Sequence, residues 1–284
     1  MDMTREIRIE EGKLKVVFEI QENGVVELKQ FDPAGRMDVK ERDRGEEDFY
    51  PITEIQITGR GTRGMHAYKH NVSGGATDFV YQSHEVLENE KGKELVIHTA
   101  TEYGVKGEYH MQFYANVAAV QVWTTLKNEG TEEIGLEYVS SFIYQGLCQS
   151  GEKPYFEKTS IYTPHNSWDC ESQWRKNDCR EINLSGMAVN GFNTPGFGMN
   201  RYCYGGHSSW STCEYLPMGI CEDEECKVTY FFQVEHSGQW LIEYGPSTGE
   251  RLYVALSGAT ETEHGWWKNL KPGDTFTTVP AGFG

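Results

Sequence analysis

Residues 227–244 read KVTYFFQVEHSGQWLIEY, and this stretch decides the fold class. Nearly every second side chain is apolar up to Val234, and the same alternation returns from Trp240 onward. Adjacent residues of a β-strand point to opposite faces, so each half predicts a half-buried strand. The His-Ser-Gly turn at residues 236–238 predicts an antiparallel hairpin in which Glu243 lies on the polar face.

The same alternation extends over most of the chain. Residues 13–20 and 252–256 show it, and turn signals such as Glu-Asn-Gly at 22–24 and Gly-Pro-Ser-Thr-Gly at 245–249 separate the runs. Helical periodicity is nearly absent, and residues 171–182 predict one short helix or none. About fifteen candidate strands are too many for one small sandwich, so we expect an all-β fold of two large antiparallel sheets.

Charge and hydropathy exclude several classes of partner. The 284 residues carry 26 Lys and Arg against 43 Asp and Glu, a net charge of -17. Nucleic acids and anionic membranes are bound by clustered Lys and Arg, so neither partner is expected. No apolar run approaches the roughly 20 residues that span a bilayer. The opening residues MDMTREIRIEEGK lack the apolar segment of a secretory signal, which predicts a cytoplasmic protein.

The cysteines predict reduced thiols and no metal site. All seven lie between Cys148 and Cys226, and an odd number cannot pair completely within one chain. No Cys-x-x-Cys occurs, and no histidine stands at ligand-like spacing from the closest cysteine pair. The chain also lacks the glycine-rich phosphate and dinucleotide motifs and the Gly-x-Ser-x-Gly nucleophile motif, so we expect no cofactor.

Two long loops are candidates for function, because loops of such length in a compact domain are usually functional or mobile. Residues 185–207 are rich in Gly, Asn and aromatic side chains. Residues 58–75 form the only basic island of this acidic chain. This island is either a solvated loop or a contact with a ligand or a neighbouring subunit. Its basic residues are Arg60, Arg63, His66, Lys69 and His70, and the first four are the candidates for a ligand contact.

The tryptophans favour a carbohydrate ligand. Six of the seven lie in the second half of the chain, and Trp168, Trp174 and Trp210 stand in segments without clear strand patterning. Flat aromatic faces suit the apolar faces of sugar rings, although core packing would also explain each tryptophan singly. Asp169 and Glu171, which are flanked by Trp168 and Trp174, are the best local candidates for a glycosidase carboxylate pair.

Three segments of the second half resemble α-galactosidases of glycoside hydrolase family 36. HNSWDCESQWRK at 165–176 resembles the Trp-x-x-Glu segment of that family, and GHSSWSTCEYLPMGI at 206–220 resembles its Ser-rich strand. The end of the chain is the most specific match. GWWKNLKPGDTFTTVP resembles the ending Trp-x-x-Leu-x-Pro-Gly-Glu-x-Phe-x-Thr-Pro, with Asp274 in place of Glu and one extra residue before Pro280.

This resemblance implies a fold, a partner and a substrate. It identifies residues 1–284 as a single N-terminal β-supersandwich domain of the galactose mutarotase-like type, with the catalytic (β/α)8 barrel expected after residue 284. The resemblance implies no catalytic residue in this chain, because the catalytic aspartates of the family belong to the barrel. The implied partners are that barrel, an α-galactoside and further copies of the enzyme in a homo-oligomer. Candidates for the rim of the sugar site are Arg60, Arg63, His66, Lys69, Trp168, Glu171, Trp174 and Trp210.

Two other classes of function remain open at this point. The chain would be a free-standing carbohydrate-binding module if it bound galactosides alone. It would be a complete small enzyme if a carboxylate pair such as Asp169 and Glu171 hydrolysed them. A sandwich fold supports all three hypotheses equally, because sandwiches host many functions.

Overall fold

The computed structural model describes residues 5–33, 50–63, 69–185, 200–247 and 251–284. These residues form nineteen strands, one four-residue α-helix, α1 (Glu261–His264), and two short 3-10 helices at Ala76–Asp78 and Tyr155–Glu157. The strands are β1 (Arg5–Glu11), β2 (Leu14–Ile20), β3 (Val26–Asp32), β4 (Ile55–Ile57), β5 (Val80–Asn89), β6 (Gly92–Ala100), β7 (Val105–Phe113), β8 (Val120–Asn128), β9 (Ile134–Leu147), β10 (Thr159–His165), β11 (Gln173–Asp178), β12 (Tyr202–Gly206), β13 (Met218–Asp223), β14 (Val228–Val234), β15 (Trp240–Ser247), β16 (Arg251–Gly258), β17 (Lys268–Leu270), β18 (Thr275–Thr277) and β19 (Ala281–Phe283).

Two large antiparallel sheets and one small one build the sandwich. The ten-stranded sheet has the order β11-β10-β13-β14-β19-β8-β7-β6-β5, with β18 also paired to β8. The six-stranded sheet has the order β12-β15-β16-β9-β17, with β4 also paired to β9. A three-stranded sheet, β1-β2-β3, contributes its apolar residues to the same core. The predicted all-β fold is therefore confirmed, with a third sheet that the sequence did not indicate.

Phe283, next to the C-terminal residue of the chain, lies at the centre of the core. Its ring is 4.9 Å from that of Phe31 and 4.5 Å from that of Phe142, measured between centroids. Its strand, β19, pairs with β14 on one side and with β8 on the other, so the end of the chain joins the two halves of the ten-stranded sheet.

Several local expectations need correction. Part of residues 171–182 forms strand β11, not a helix, because it pairs with β10 from His165↔Gln173 to Ser160↔Asp178. The predicted hairpin of β14 and β15 is half right. Both strands form, but they belong to different sheets. Residues 245–247 continue β15 rather than turn, since Pro246 lies opposite Leu252. All of β15 is buried, so Glu243 does not lie on a solvent face.

Candidate functional site

Trp168 and Trp210 form an exposed aromatic pair at the tips of two neighbouring loops. Their side chains are 77% and 62% exposed, and their ring centroids are 6.4 Å apart with planes inclined by 15°. Asn166 ties the two loops together, because its backbone N–H donates to Glu214 O at 2.8 Å and its side chain to Thr212 O at 2.5 Å. The result is a paired, solvent-facing platform of the kind that stacks on sugar rings.

A tight turn presents Trp168 to solvent. Ser167 and Cys170 exchange backbone hydrogen bonds of 3.2 and 3.0 Å, and Asn166 Oδ1 accepts from the N–H of Ser172 at 2.9 Å. Asp169 adopts φ 60° and Ser172 φ 55°. Such left-handed residues cost roughly 1–2 kcal/mol each for a side chain other than glycine. The backbone is therefore locally strained where it reverses direction beside Trp168.

The nearby acids do not form an enclosed catalytic pair. Asp169 and Glu171 are both exposed, and Trp174 lies beside them on β11 with 38% of its surface in solvent. A glycosidase needs a carboxylic acid in a partly desolvated site, so that it stays protonated until it meets the leaving group. Neither acid has such surroundings, and the arrangement therefore gives no support to a complete small enzyme.

The basic loop residues are held by partners within the chain. Arg60 donates to Asp78 Oδ2 at 2.6 Å and lies 5.0 Å above the ring centroid of Tyr103. Arg63 pairs with the fully buried Glu54 and donates to two backbone carbonyls, Ser73 O at 3.0 Å and Asn71 O at 3.1 Å. These contacts stabilise the loop itself. A role of either arginine at a sugar site stays a prediction.

Lys69 is buried, and His66 lies outside the described residues. Lys69 Nζ donates to Pro246 O at 2.7 Å. Burial lowers the pKa of Lys69 to about 8, against an opposing effect of the Glu243 charge, which raises it. Its ammonium group therefore points into the protein and does not reach solvent, so Lys69 is unlike the solvated basic residue that the sequence suggested.

Beside Lys69 lies a buried charged cluster that the sequence analysis missed. Glu243 accepts from the backbone N–H of His70 at 2.8 Å, His70 Nδ1 at 2.7 Å, Arg201 at 2.8 Å and Tyr253 Oη at 2.5 Å. Burial alone would raise the pKa of Glu243. The His70 charge and the hydrogen bonds from His70, Tyr253 and Arg201 outweigh it and lower that pKa to about 2. The cluster joins β15 and β16 to the chain segments before β5 and β12.

A further exposed tryptophan, Trp267, lies in an open cavity of about 510 Å³. Its side chain is 64% exposed. The other lining residues are Thr58, Glu133, Gly135, Glu137, Glu261 and Asn269. An aromatic face among three carboxylates suits a cationic group. In the sequence Trp267 is visible only as one of six tryptophans of the second half and as part of the end motif, because Glu133 and Glu137 are far from it along the chain.

No helix in the described ranges is long and apolar enough to cross a membrane. Together the features define an antiparallel β-supersandwich with aromatic side chains on exposed loops. Solved structures with this fold include α-galactosidases of glycoside hydrolase family 36. Those of AgaA and AgaB from Geobacillus stearothermophilus superpose with TM-scores of 0.69 and 0.71 at 12% and 13% identity, and they cover 98% and 99% of this chain. The α-galactosidase from Lactobacillus brevis covers 99% of it with a TM-score of 0.67 at 11% identity.

This chain spans about 40% of the length of those enzymes, being 40%, 39% and 39% of the respective chains. Other structures of AgaA variants hold raffinose or stachyose. No protein-family model matches the chain, and no curated protein matches it. At this level of identity the likeness establishes a shared fold, in agreement with the resemblance drawn from residues 165–176, 206–220 and the end of the chain.

Proposed function

We propose that this chain is the non-catalytic N-terminal β-sandwich domain of an α-galactosidase of glycoside hydrolase family 36. One observation carries the proposal. The superpositions cover almost the whole of this chain and only about two fifths of enzymes that are named α-galactosidases. The motif at residues 265–280 supports the proposal independently of the superpositions, because its resemblance to the family rests on the amino-acid sequence alone.

The catalytic carboxylates would then lie in a barrel that follows this domain, and the domain would pack against that barrel within a homo-oligomer. The exposure of Asp169 and Glu171 agrees with catalytic carboxylates that lie in the barrel and not in this domain. The substrate would be a terminal α-galactoside, since the neighbouring structures include complexes with raffinose and stachyose. Seven unpaired thiols support a reducing, cytoplasmic location.

Hydrolysis of a chromogenic α-galactoside tests this proposal. We expect the 284-residue chain alone to show no turnover, and the product of the complete reading frame, with this domain joined to a barrel, to release the chromophore. Turnover by the chain alone that Glu171→Gln abolishes would contradict the proposal and support a small enzyme. A complete reading frame without a barrel would contradict it as well.

The tryptophan pair is the part of the domain that we assign to the rim of the sugar site. Trp168 and Trp210 have free faces, whereas Arg60 and Arg63 are held by Asp78 and Glu54. Trp168→Ala in the complete enzyme should therefore raise KM for raffinose several-fold. Trp267→Ala, which removes another exposed tryptophan, is the matched control and should leave KM unchanged. Equal KM values in all three proteins would contradict the rim role.

A free-standing carbohydrate-binding module is the second candidate, and the stacked pair of Trp168 and Trp210 favours it. In that case raffinose should quench the tryptophan fluorescence of the chain alone with a saturable dependence. Trp210→Ala should abolish the quenching, and Trp267→Ala should preserve it. Quenching without any barrel in the reading frame would establish this candidate over the first.

A further inference from the structure

Strand β5 is a long edge strand of the ten-stranded sheet. It stands at the end of the strand order and, among the residues that the structure describes, pairs only with β6. Every residue from Gln82 to Asn89 is exposed, whereas the middle of β6 is buried. β5 therefore extends past the packed core, with both of its faces and one backbone edge in solvent.

This strand lacks the features that usually protect an edge. Edge strands of soluble proteins are often short or carry lysine or proline, because an open backbone edge can pair with another chain. β5 has ten residues, VYQSHEVLEN, with neither lysine nor proline. Val86 and Leu87 lie on opposite faces and are 43% and 44% exposed. The strand thus offers apolar side chains together with open backbone groups.

The turn after β5 defines which backbone groups face outward. A two-residue loop connects β5 to β6, and Asn89 lies opposite Gly92. In such a hairpin the closing pair exchanges hydrogen bonds, and hydrogen-bonded and open pairs alternate from there. The N–H and C=O groups of His84, Val86 and Glu88 are therefore directed away from β6.

A second copy of β5 fits this open edge in a register centred on Val86. Two identical antiparallel strands related by a two-fold axis are centred on one residue, since paired residues direct their backbone groups either toward or away from each other. Centring on Glu85 would oppose like charges, and centring on Leu87 would set Val86 against Glu88. Centring on Val86 sets Val86 against itself and His84 against Glu88, with about six backbone hydrogen bonds.

His84 is oriented for this contact. Its Nδ1 bonds Tyr81 Oη at 2.8 Å, which leaves Nε2 for the carboxylate of Glu88 in the second copy. Glu88 is exposed on the same face of the strand, two residues beyond Val86. The two-fold axis repeats the contact, so the register contains two His–Glu pairs beside the central valines.

We propose that β5 pairs with β5 of a second copy of this chain, antiparallel and centred on Val86, and so joins two ten-stranded sheets into one. The added ladder buries less surface than the roughly 1,200–2,000 Å² of a stable complex, so the dimer is reversible, with Kd in about the micromolar range. This interface goes beyond the proposed function, because it requires neither a barrel nor any of the exposed tryptophans.

A cysteine on the two-fold axis tests the register, in a chain whose exposed Cys170 and Cys213 are replaced by serine. Val86→Cys should give a disulfide-linked dimer under mild oxidation, because a hydrogen-bonded pair places its Cα atoms about 5.5 Å apart, within reach of a disulfide. Leu87→Cys is the matched control. Leu87 is equally exposed, but its two copies would lie about 8 Å apart, beyond that reach. Cross-linking of Leu87→Cys equal to that of Val86→Cys would overturn the proposal.

Sedimentation velocity measures the association without a cross-link. The 284-residue chain should pass from monomer to dimer as its concentration rises through the micromolar range. His84→Glu sets a like charge against Glu88 twice and should weaken the dimer at least about tenfold. His236→Glu makes the same change at an exposed residue of the turn after β14 and should leave Kd unchanged.

A charge exchange keeps the test decisive if His84→Glu perturbs the strand itself. His84→Glu/Glu88→Lys should restore Kd to within about threefold of the wild type, because the two residues are too far apart within one strand to contact each other. A chain that stays monomeric up to about 100 μM would overturn the proposal, as would equal Kd values for His84→Glu and His236→Glu.

Discussion

At the scale of single residues, Glu243 shows how far a tertiary environment departs from the sequence pattern. It occupies a polar position of an alternating strand, yet its side chain is fully buried. Four hydrogen bonds from His70, Arg201 and Tyr253 surround its carboxylate. A buried charge is tolerated only when it is paired and hydrogen-bonded in this way. Glu243 therefore fixes the chain segments that contain His70 and Arg201 to the six-stranded sheet.

The pKa of Glu243 gives a pH-dependent prediction. The folded-state pKa of about 2 lies below the usual 4.5, so the charge stabilises the fold above about pH 4.5 and loses that effect as pH falls toward 2. Glu243→Gln should lower the free energy of unfolding by about 3 kcal/mol at pH 7, and by clearly less near pH 3. Urea titrations at both pH values measure this difference.

Glu88→Gln is the control, because Glu88 is an exposed residue of β5. Its effect on the free energy of unfolding should stay within about 0.5 kcal/mol at both pH values. A Glu243→Gln effect of the same size at pH 7 and pH 3 would contradict the assigned role of the charge.

At the scale of elements, the three residues of β19 matter more than their number suggests. Each pairs on both sides, for example Val234↔Ala281 and Ala281↔Val122, so β19 separates β14 from β8 within one sheet. The side chain of Phe283 contacts rings from all three sheets, including Phe31, Phe142 and Phe232. The end of the chain is thus part of the core.

Phe283→Ala should therefore be strongly destabilising. Removing a fully buried ring costs about 3–5 kcal/mol, from lost apolar burial and from the cavity that remains. Phe231→Ala makes the same chemical change one strand away at a side chain that is 44% exposed, and it should cost less than about 1 kcal/mol. Thermal unfolding of both variants compares the two, and equal values of Tm would refute the central position of Phe283.

At the scale of the whole molecule, the thiols are distributed between the core and the loop tips. Cys148, Cys179 and Cys221 are buried, whereas Cys170 and Cys213 are exposed on the two loops that carry the tryptophan pair. Burial raises the pKa of Cys179, and a hydrogen bond with Cys148 together with burial raises that of Cys221. Since the thiolate is the reactive form, Cys179 and Cys221 are protected both by their burial and by their raised pKa.

Thiol titration with a chromogenic disulfide should reflect this distribution. The native chain should show fast reaction of Cys170 and Cys213 and no fast reaction of the three core cysteines, and all seven thiols should react in denaturant. A Cys170→Ser/Cys213→Ser double variant should lose the fast phase. A fast phase that persists in this variant would contradict the arrangement of the sandwich around its core.

Local patterning by itself determined that the chain is all-β, where many of its strands run and that its loops carry tryptophan, because alternation and turn chemistry act over a few residues. The end motif added the likeness to α-galactosidases, which agrees with the shared fold. Strand pairing was decided only by the tertiary structure, since ladders join residues far apart in sequence. Pairing and packing put the side chain of Glu243 in the interior and that of Phe283 at the centre of the core. The tryptophan platform needed both kinds of information, because each tryptophan is visible in the sequence and their stacking is not.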